Sequence, residues 1–308
     1  MPSNAPAAKS GLYADPREDW LALHKEEVID PTRPIVDPHH HLWDRGGQRY
    51  LIEDIAADIG SGHNVIATVY VEARSMYRVG GPEALRPVGE VEFANGAAAM
   101  SASGGYGPAA ICAGIVGHAN LLLGEGARPV LEAEIAAGNG RFRGIRHSSP
   151  WDADPEAAGM YALRPPKLLL DPIFREGFAC LAPLGLSFDA WLFHPQIAEL
   201  ADLARAFPDT QIVLDHCGGP IGLGSYAGRR EETFVHWKAA IQDIAKCPNV
   251  MVKLGGLAMR LLGYDFHERP KPPSSEDAVA AWRPWRCSVR LGSASKVGTY
   301  GTSPGATG

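Results

Sequence analysis

The chain has 308 residues, 45% hydrophobic and 21% charged, with a formal net charge of -6. This is ordinary globular composition, and the length suits an α/β barrel, which uses roughly 250 residues as one unit. Without a basic cluster there is no case for nucleic-acid binding, and no run of about 18 apolar residues marks a membrane helix. Cys112, Cys180, Cys217, Cys247 and Cys287 form no Cys-x-x-Cys pair, and the N-terminus lacks the basic-then-apolar order of a secretory signal. Both point to a reduced, cytoplasmic setting.

In chain order, residues 1–30 are polar and Pro/Ala-rich and read as an extension outside the core. Short β-branched runs then alternate with Ala/Leu/Glu-rich segments. The predicted strands are 33–37, 64–71, 109–116, 141–146, 186–192, 211–215 and 249–254. The predicted helices between them include 89–102, 128–137, 196–206 and 231–246. Apolar strands buried on both faces and alternating with helices imply a parallel sheet, and seven of them suit a (β/α)8 barrel.

From Ala278 onward there is no Asp or Glu, Gly and Ser are dense, and no period is sustained. An eighth strand is not visible. The expected reading is a frameshift or truncation that replaced the last strand and helix, with a naturally disordered tail as the alternative. The domain layout is then an extension over 1–30, a barrel over 31–284 and an aberrant tail over 285–308.

Active sites of parallel barrels lie at the C-terminal ends of the strands. Polar residues gather at such ends: His39 and His41, Glu72 and Arg74, His118, Arg143, Arg146 and His147, His194, and Asp215 and His216. His39 and His41 are two apart, so on an extended chain both imidazoles face one side while His40 faces the other. By the same parity His147 is expected to be structural, Asp215 to turn away from His216, and Cys217 not to act with His216.

Ile35-Val-Asp-Pro-His-His-His-Leu-Trp-Asp44 resembles the opening motif of the amidohydrolase-related family, in the branch of sugar lactonases and 2-pyrone-4,6-dicarboxylate lactonase. Residues 141–147, 186–195, 212–220 and 249–256 are similar to its motifs at strands four to seven. The resemblance implies a distorted TIM barrel of the metal-dependent-hydrolase type. It implies His39, His41, His194 and His216 as catalytic positions, with Arg143 and Arg146 as substrate anchors. Glu72, at the end of the second strand, is expected toward substrate or an active-site imidazole, with a structural ion pair to Arg74 or Arg146 as the alternative. Arginines stand at strand four where metal-dependent relatives carry a bridging Lys or Glu, which argues against a two-metal site. The cofactor expectation is therefore either none or a single zinc on His39, His41 and His194.

The expected reaction is opening of a lactone or related cyclic ester of an acidic or polyhydroxy substrate by activated water. A zinc-dependent decarboxylase or amide hydrolase on the same scaffold, and an inactive truncated pseudoenzyme, are the alternatives. The family's base is a carboxylate at the end of strand eight, and no Asp or Glu follows Asp277. Loss of a general base costs about 10²–10⁴-fold in rate. The partner is expected to be a small molecule, with neither nucleic acid nor membrane, and a homo-oligomer is left open.

Overall fold

The computed structural model describes residues 17–45 and 48–292. Its strands are β1 (Ile35–His40), β2 (Trp43–Arg45), β3 (Gln48–Tyr50), β4 (Val65–Val71), β5 (Ala110–Gly117), β6 (Phe142–Arg146), β7 (Ser187–Ala190), β8 (Ile212–Leu214) and β9 (Val250–Val252). Seven of them form one sheet in the order β1-β4-β5-β6-β7-β8-β9, every pair parallel. The right-handed twist of parallel strands curls such a sheet toward closure. Here the curl brings Lys253, just past β9, to 3.3 Å from His39 on β1. Among the described residues β1 and β9 are not paired, so the fold is a (β/α)8-type barrel lacking its eighth strand. The short antiparallel pair β2–β3 (Trp43 opposite Tyr50) was not foreseen.

The strands alternate in the way a two-sided burial demands. Val69 and Val71 pack with Val116 inside the curl, while Tyr70 and Ile115 join the main core beneath the helices. The helices fall within about two residues of the predicted bounds, for example Val88–Ala102, Arg128–Ala137, Ile197–Ala206 and Arg230–Ile244. Each offers one apolar stripe to the sheet. On Ile197–Ala206 the buried set is Ile197, Leu200, Ala201, Leu203 and Ala204. On Arg230–Ile244 it includes Trp237, Ile241 and Ile244.

One correction concerns the C-terminal end. The aberrant tail does not begin at 285, because a helix runs from Ser275 through Pro284 to Gly292. Trp285 and Val289 are buried, and Trp285 packs against Trp237 and Phe234 with ring centroids 4.8 and 5.1 Å apart. Its indole N–H donates to Tyr264 at 3.0 Å. A stretch in which no sustained period was expected thus docks through Trp282, Trp285 and Val289, which lie at i, i+3 and i+7 on one face of the helix. The rest of the expected tail, 293–308, lies outside the described residues, as do 1–16 of the extension. The remainder of that extension packs on the residues after the last strand: Trp20 donates to the Arg269 carbonyl at 2.8 Å, and Glu26 accepts from the Ser275 amide at 3.1 Å.

Candidate active site

The C-terminal ends of β1, β4, β6, β7, β8 and β9 converge on one cluster of buried polar side chains. His39 and His41 face each other through their Nε2 atoms at 3.2 Å. His216 lies against His39 with ring centroids 4.5 Å apart. His40 turns the other way, its Nε2 being 2.9 Å from Thr68 Oγ1. Trp43 stacks on His41 and Trp191 meets His216 edge-on, so indoles hold both rings in orientation.

Charged groups surround the imidazoles. Arg146 donates from Nε to Glu72 at 2.8 Å and also bonds the Glu72 carbonyl. Its Nη1 is 3.4 Å from His39 Nε2 and 3.6 Å from Asp215 Oδ2. Lys253 Nζ is 2.5 Å from Asp189 Oδ2, 3.1 Å from Asp215 Oδ1 and 3.3 Å from His39 Nδ1. Neither Lys253 nor Asp189 is among the site residues expected from the sequence. The available signal was a lysine directly after an apolar β run, at the end of the strand where His39 sits on β1.

Asp215 was expected to face away from His216 and does not. Both His216 and Cys217 have left-handed backbones, φ 52° and 54°. The two-residue alternation therefore ends with β8, and Asp215 and His216 both turn into the cluster. Gly256 makes room for this. It has φ +75°, and a Cβ built there would lie 2.4 Å from His216 Cβ.

His194 and Arg143 are not brought to the cluster. β7 ends at Ala190, so His194 sits four residues on in a tight turn, His194–Gln196. Its Nδ1 accepts from the Ile221 amide at 3.3 Å and its ring meets Tyr226. The expected trio His39, His41 and His194 is thus not assembled. Arg143 is the second residue of β6, three residues before Arg146. At about 3.3 Å of rise per residue that places it roughly 10 Å down the strand. It is exposed and donates to the Gly140 and Phe142 carbonyls at 2.8 and 3.0 Å.

Burial sets the protonation states. It pulls His39 and His41 well below the ordinary imidazole range; Asp215 opposes this at His39, and Arg146 adds to it at His41. Burial likewise lowers His216 to about 4 despite Asp215. All three rings are neutral at pH 7. At Glu72 burial works toward the neutral acid, but Arg146 and His118 outweigh it and hold the carboxyl below its usual value. At Lys253 burial works against the charge, and Asp189 and Asp215 overcome it and raise the pKa.

The proton arrangement follows from the shortest contacts. His41 Nδ1 is 2.7 Å from the Val71 carbonyl, which can only accept, so that nitrogen carries the proton and Nε2 is bare. His39 then donates from Nε2 to His41 Nε2 at 3.2 Å, and its bare Nδ1 accepts from Lys253 at 3.3 Å. The opposite tautomer would rely on the longer contacts, 3.4 Å to Arg146 and 3.5 Å to Asp215.

A second group of cations borders the cluster. Arg74 is exposed on the segment after β4, which Glu90 pins by accepting from the Ala73 and Ser75 amides at 2.8 and 2.9 Å. Arg164 bonds the Ser148 carbonyl; burial first, and then the charge of Arg74, pull its pKa down. Arg146 acts on Arg164 in the same direction, and Glu72 opposes it. His118 donates from Nδ1 to the Arg146 carbonyl at 2.9 Å, and His147 accepts from the Leu121 amide at 3.2 Å in a structural role.

The amidohydrolase family model matches residues 36–296, which is most of the chain. The chain belongs to the amidohydrolase family. An uncharacterized protein, y4mH, from Sinorhizobium fredii is 31% identical over 80% of this chain and 80% of its own length. An L-fucono-1,5-lactonase from Burkholderia multivorans is 27% identical over 72% of this chain and 68% of its own. An amidohydrolase from Burkholderia multivorans, solved with zinc bound, has the same fold, with TM-score 0.60, 21% identity and coverage of 84% of this chain and 80% of that one. A protein from Acinetobacter baumannii described as a probable 2-pyrone-4,6-dicarboxylic acid hydrolase, with citric acid bound, shares it at TM-score 0.51 and 10% identity, over 82% of this chain and 78% of that one. This amidohydrolase is an enzyme of the hydrolase type.

Many barrels of this type hold a metal, and in this amidohydrolase His39, Asp215 and His216 have donor atoms within 4.8 Å of one another. The donor types suit zinc. The surroundings do not: the side-chain cations of Lys253 and Arg146 already stand against Asp215 and His39.

Proposed function

We propose that this amidohydrolase opens a lactone or related cyclic ester that carries acidic or polyhydroxy groups, and that it does so slowly. The observation that carries the reading is the gathering of three neutral imidazoles, His39, His41 and His216, beside the Arg146 guanidinium at one mouth of the barrel, with Arg74 and Arg164 on the segments that follow β4 and β6. The lactonase relative supports the bond class.

The chemistry is an acyl transfer to water. Water adds to the ring carbonyl, the acyl C–O bond breaks, the ring oxygen takes a proton, and the product hydroxy acid releases one at neutral pH. Arg146 supplies fixed N–H donors for the developing oxyanion, held in place by Glu72 and working in a site shielded from water. Arg74 and Arg164 suit a carboxylate or several hydroxyls on the substrate. His216 is the imidazole not used by the Lys253–His39–His41 chain, and it is the candidate to accept a proton from water. With a pKa of about 4 it is a weak base at pH 7, and no carboxylate after Asp277 replaces it. A poorly matched base explains why slow turnover is expected.

The test is a panel of five- and six-membered lactones, with and without a carboxylate, followed by proton release in weak buffer. Enzyme-dependent opening of the anionic or polyhydroxy members supports the reading. Activity confined to amides or carboxylate-losing substrates favours the alternative amidohydrolase chemistry, and no rate above background on any member favours the inactive form.

A further inference from the structure

We infer that the ammonium of Lys253 is the resident cation of this site, filling the space that a divalent ion on Asp215 and His39 would need. The contacts of Lys253 are the same whether or not the substrate is a lactone. An ammonium has three N–H donors, and Lys253 has three acceptor atoms around it: Asp189 Oδ2 at 2.5 Å, Asp215 Oδ1 at 3.1 Å and His39 Nδ1 at 3.3 Å. The side chain is nearly inaccessible, and so are both carboxylates. Each acceptor comes from a different strand end, β7, β8 and β1, so the ammonium cannot be displaced by rotating one loop.

A metal on the same donors meets this charge at close range. Nζ, Asp215 Oδ1 and His39 Nδ1 form a nearly equilateral triangle with sides of 3.1, 3.3 and 3.5 Å. Zinc at bond lengths of about 2.0 Å from that oxygen and nitrogen would lie no further than ~3.7 Å from the ammonium nitrogen. His39 offers no escape through its other nitrogen, because Nε2 is engaged with His41 and lies 3.4 Å from Arg146 Nη1. Turning Nε2 into a metal donor would also force the His39 proton onto Nδ1, where it would point at the N–H donors of Lys253. Like charges and opposed donors both disfavour the ion.

Removing the ammonium should therefore create a metal site from the donors it now occupies. The test uses the full chain, stripped of metal by chelator and dialysis, and titrated with zinc against a chromogenic competitor. Lys253→Met is compared with the wild type, and Lys253→Arg keeps the charge. We expect the Met variant to bind one equivalent at least 10²-fold more tightly than the wild type, to lose it with the added change Asp215→Asn, and to gain thermal stability with zinc. The Arg variant should resemble the wild type. The wild-type arm stands by itself if the Met variant fails to fold: a wild-type equivalent with micromolar or tighter affinity that Asp215→Asn abolishes overturns the inference, and its absence supports it. A folded Met variant with no gain in zinc affinity overturns it equally.

Discussion

Arg146→Met removes the guanidinium that joins Glu72, His39 and Asp215 while keeping much of its apolar stem. The Glu72 carboxylate is then buried at 4% exposure without its partner at 2.8 Å. With an effective dielectric of about 20, a contact of that length carries a Coulomb term of roughly 6 kcal/mol. The guanidinium's own desolvation offsets part of it, so the loss expected in urea denaturation at pH 7 is about 3–5 kcal/mol. The double variant Arg146→Met, Glu72→Gln removes both charges and should recover most of that loss. The pH dependence has a definite sign. In the wild type the folded pKa of Glu72 lies below its unfolded value, so its contribution is present above the unfolded pKa and fades as pH falls through the folded one. In the single variant burial, the largest influence, is opposed only by His118 and Arg74, so the folded pKa should rise, and the deficit should grow as pH rises from 4 to 7 and shrink toward acid. A double variant as unstable as the single one, or a deficit indifferent to pH, would refute the claim that Glu72 and Arg146 are an obligate buried pair.

Three further outcomes are expected. Trp285→Ala should cost about 3–5 kcal/mol by thermal or urea unfolding, because the indole is 3% exposed against Trp237 and Phe234; a loss under about 1 kcal/mol would mean that the last helix is not docked. Gly256→Ala should lower both turnover and stability, because the left-handed backbone costs about 1–2 kcal/mol and the new Cβ, 2.4 Å from His216 Cβ, must displace that ring; unchanged turnover in the folded variant would place His216 outside the chemistry. Arg143→Ala should leave steady-state kinetics unaltered, whereas Arg164→Met should raise KM for anionic lactones about tenfold, equivalent to ~1.4 kcal/mol; the reverse ranking would restore Arg143 as the substrate anchor.

The barrel was legible because its strands are short apolar runs at regular spacing and its helices carry clear stripes. The site was legible only in part. The two-residue rule put His39 and His41 on one side, and they face each other although β1 ends at His40 and its pairing is irregular between Asp37 and His40. It failed at Asp215, because the left-handed residues that follow β8 turn the next side chain to the same side. It failed at His194, because β7 stops at Ala190 and a turn intervenes. It failed at Arg143, because that residue lies three positions, roughly 10 Å, below the end of β6. Lys253 was missed because a lysine next to an apolar run reads as the edge of a strand, whereas its value lies in acceptors supplied from β1, β7 and β8, none of them near it in sequence. The docked last helix was hidden because its apolar face is short, Trp282, Trp285 and Val289 standing among Arg, Pro and Ser residues.

The most direct test of the account is the initial rate of ring opening on an anionic lactone at pH 7, measured for the wild type and for His216→Asn from matched preparations with equal thermal midpoints. The account predicts a wild-type rate above spontaneous hydrolysis that falls by about 10²-fold or more in the variant. Equal rates in both proteins, or a wild-type rate no greater than the uncatalysed one, would contradict it.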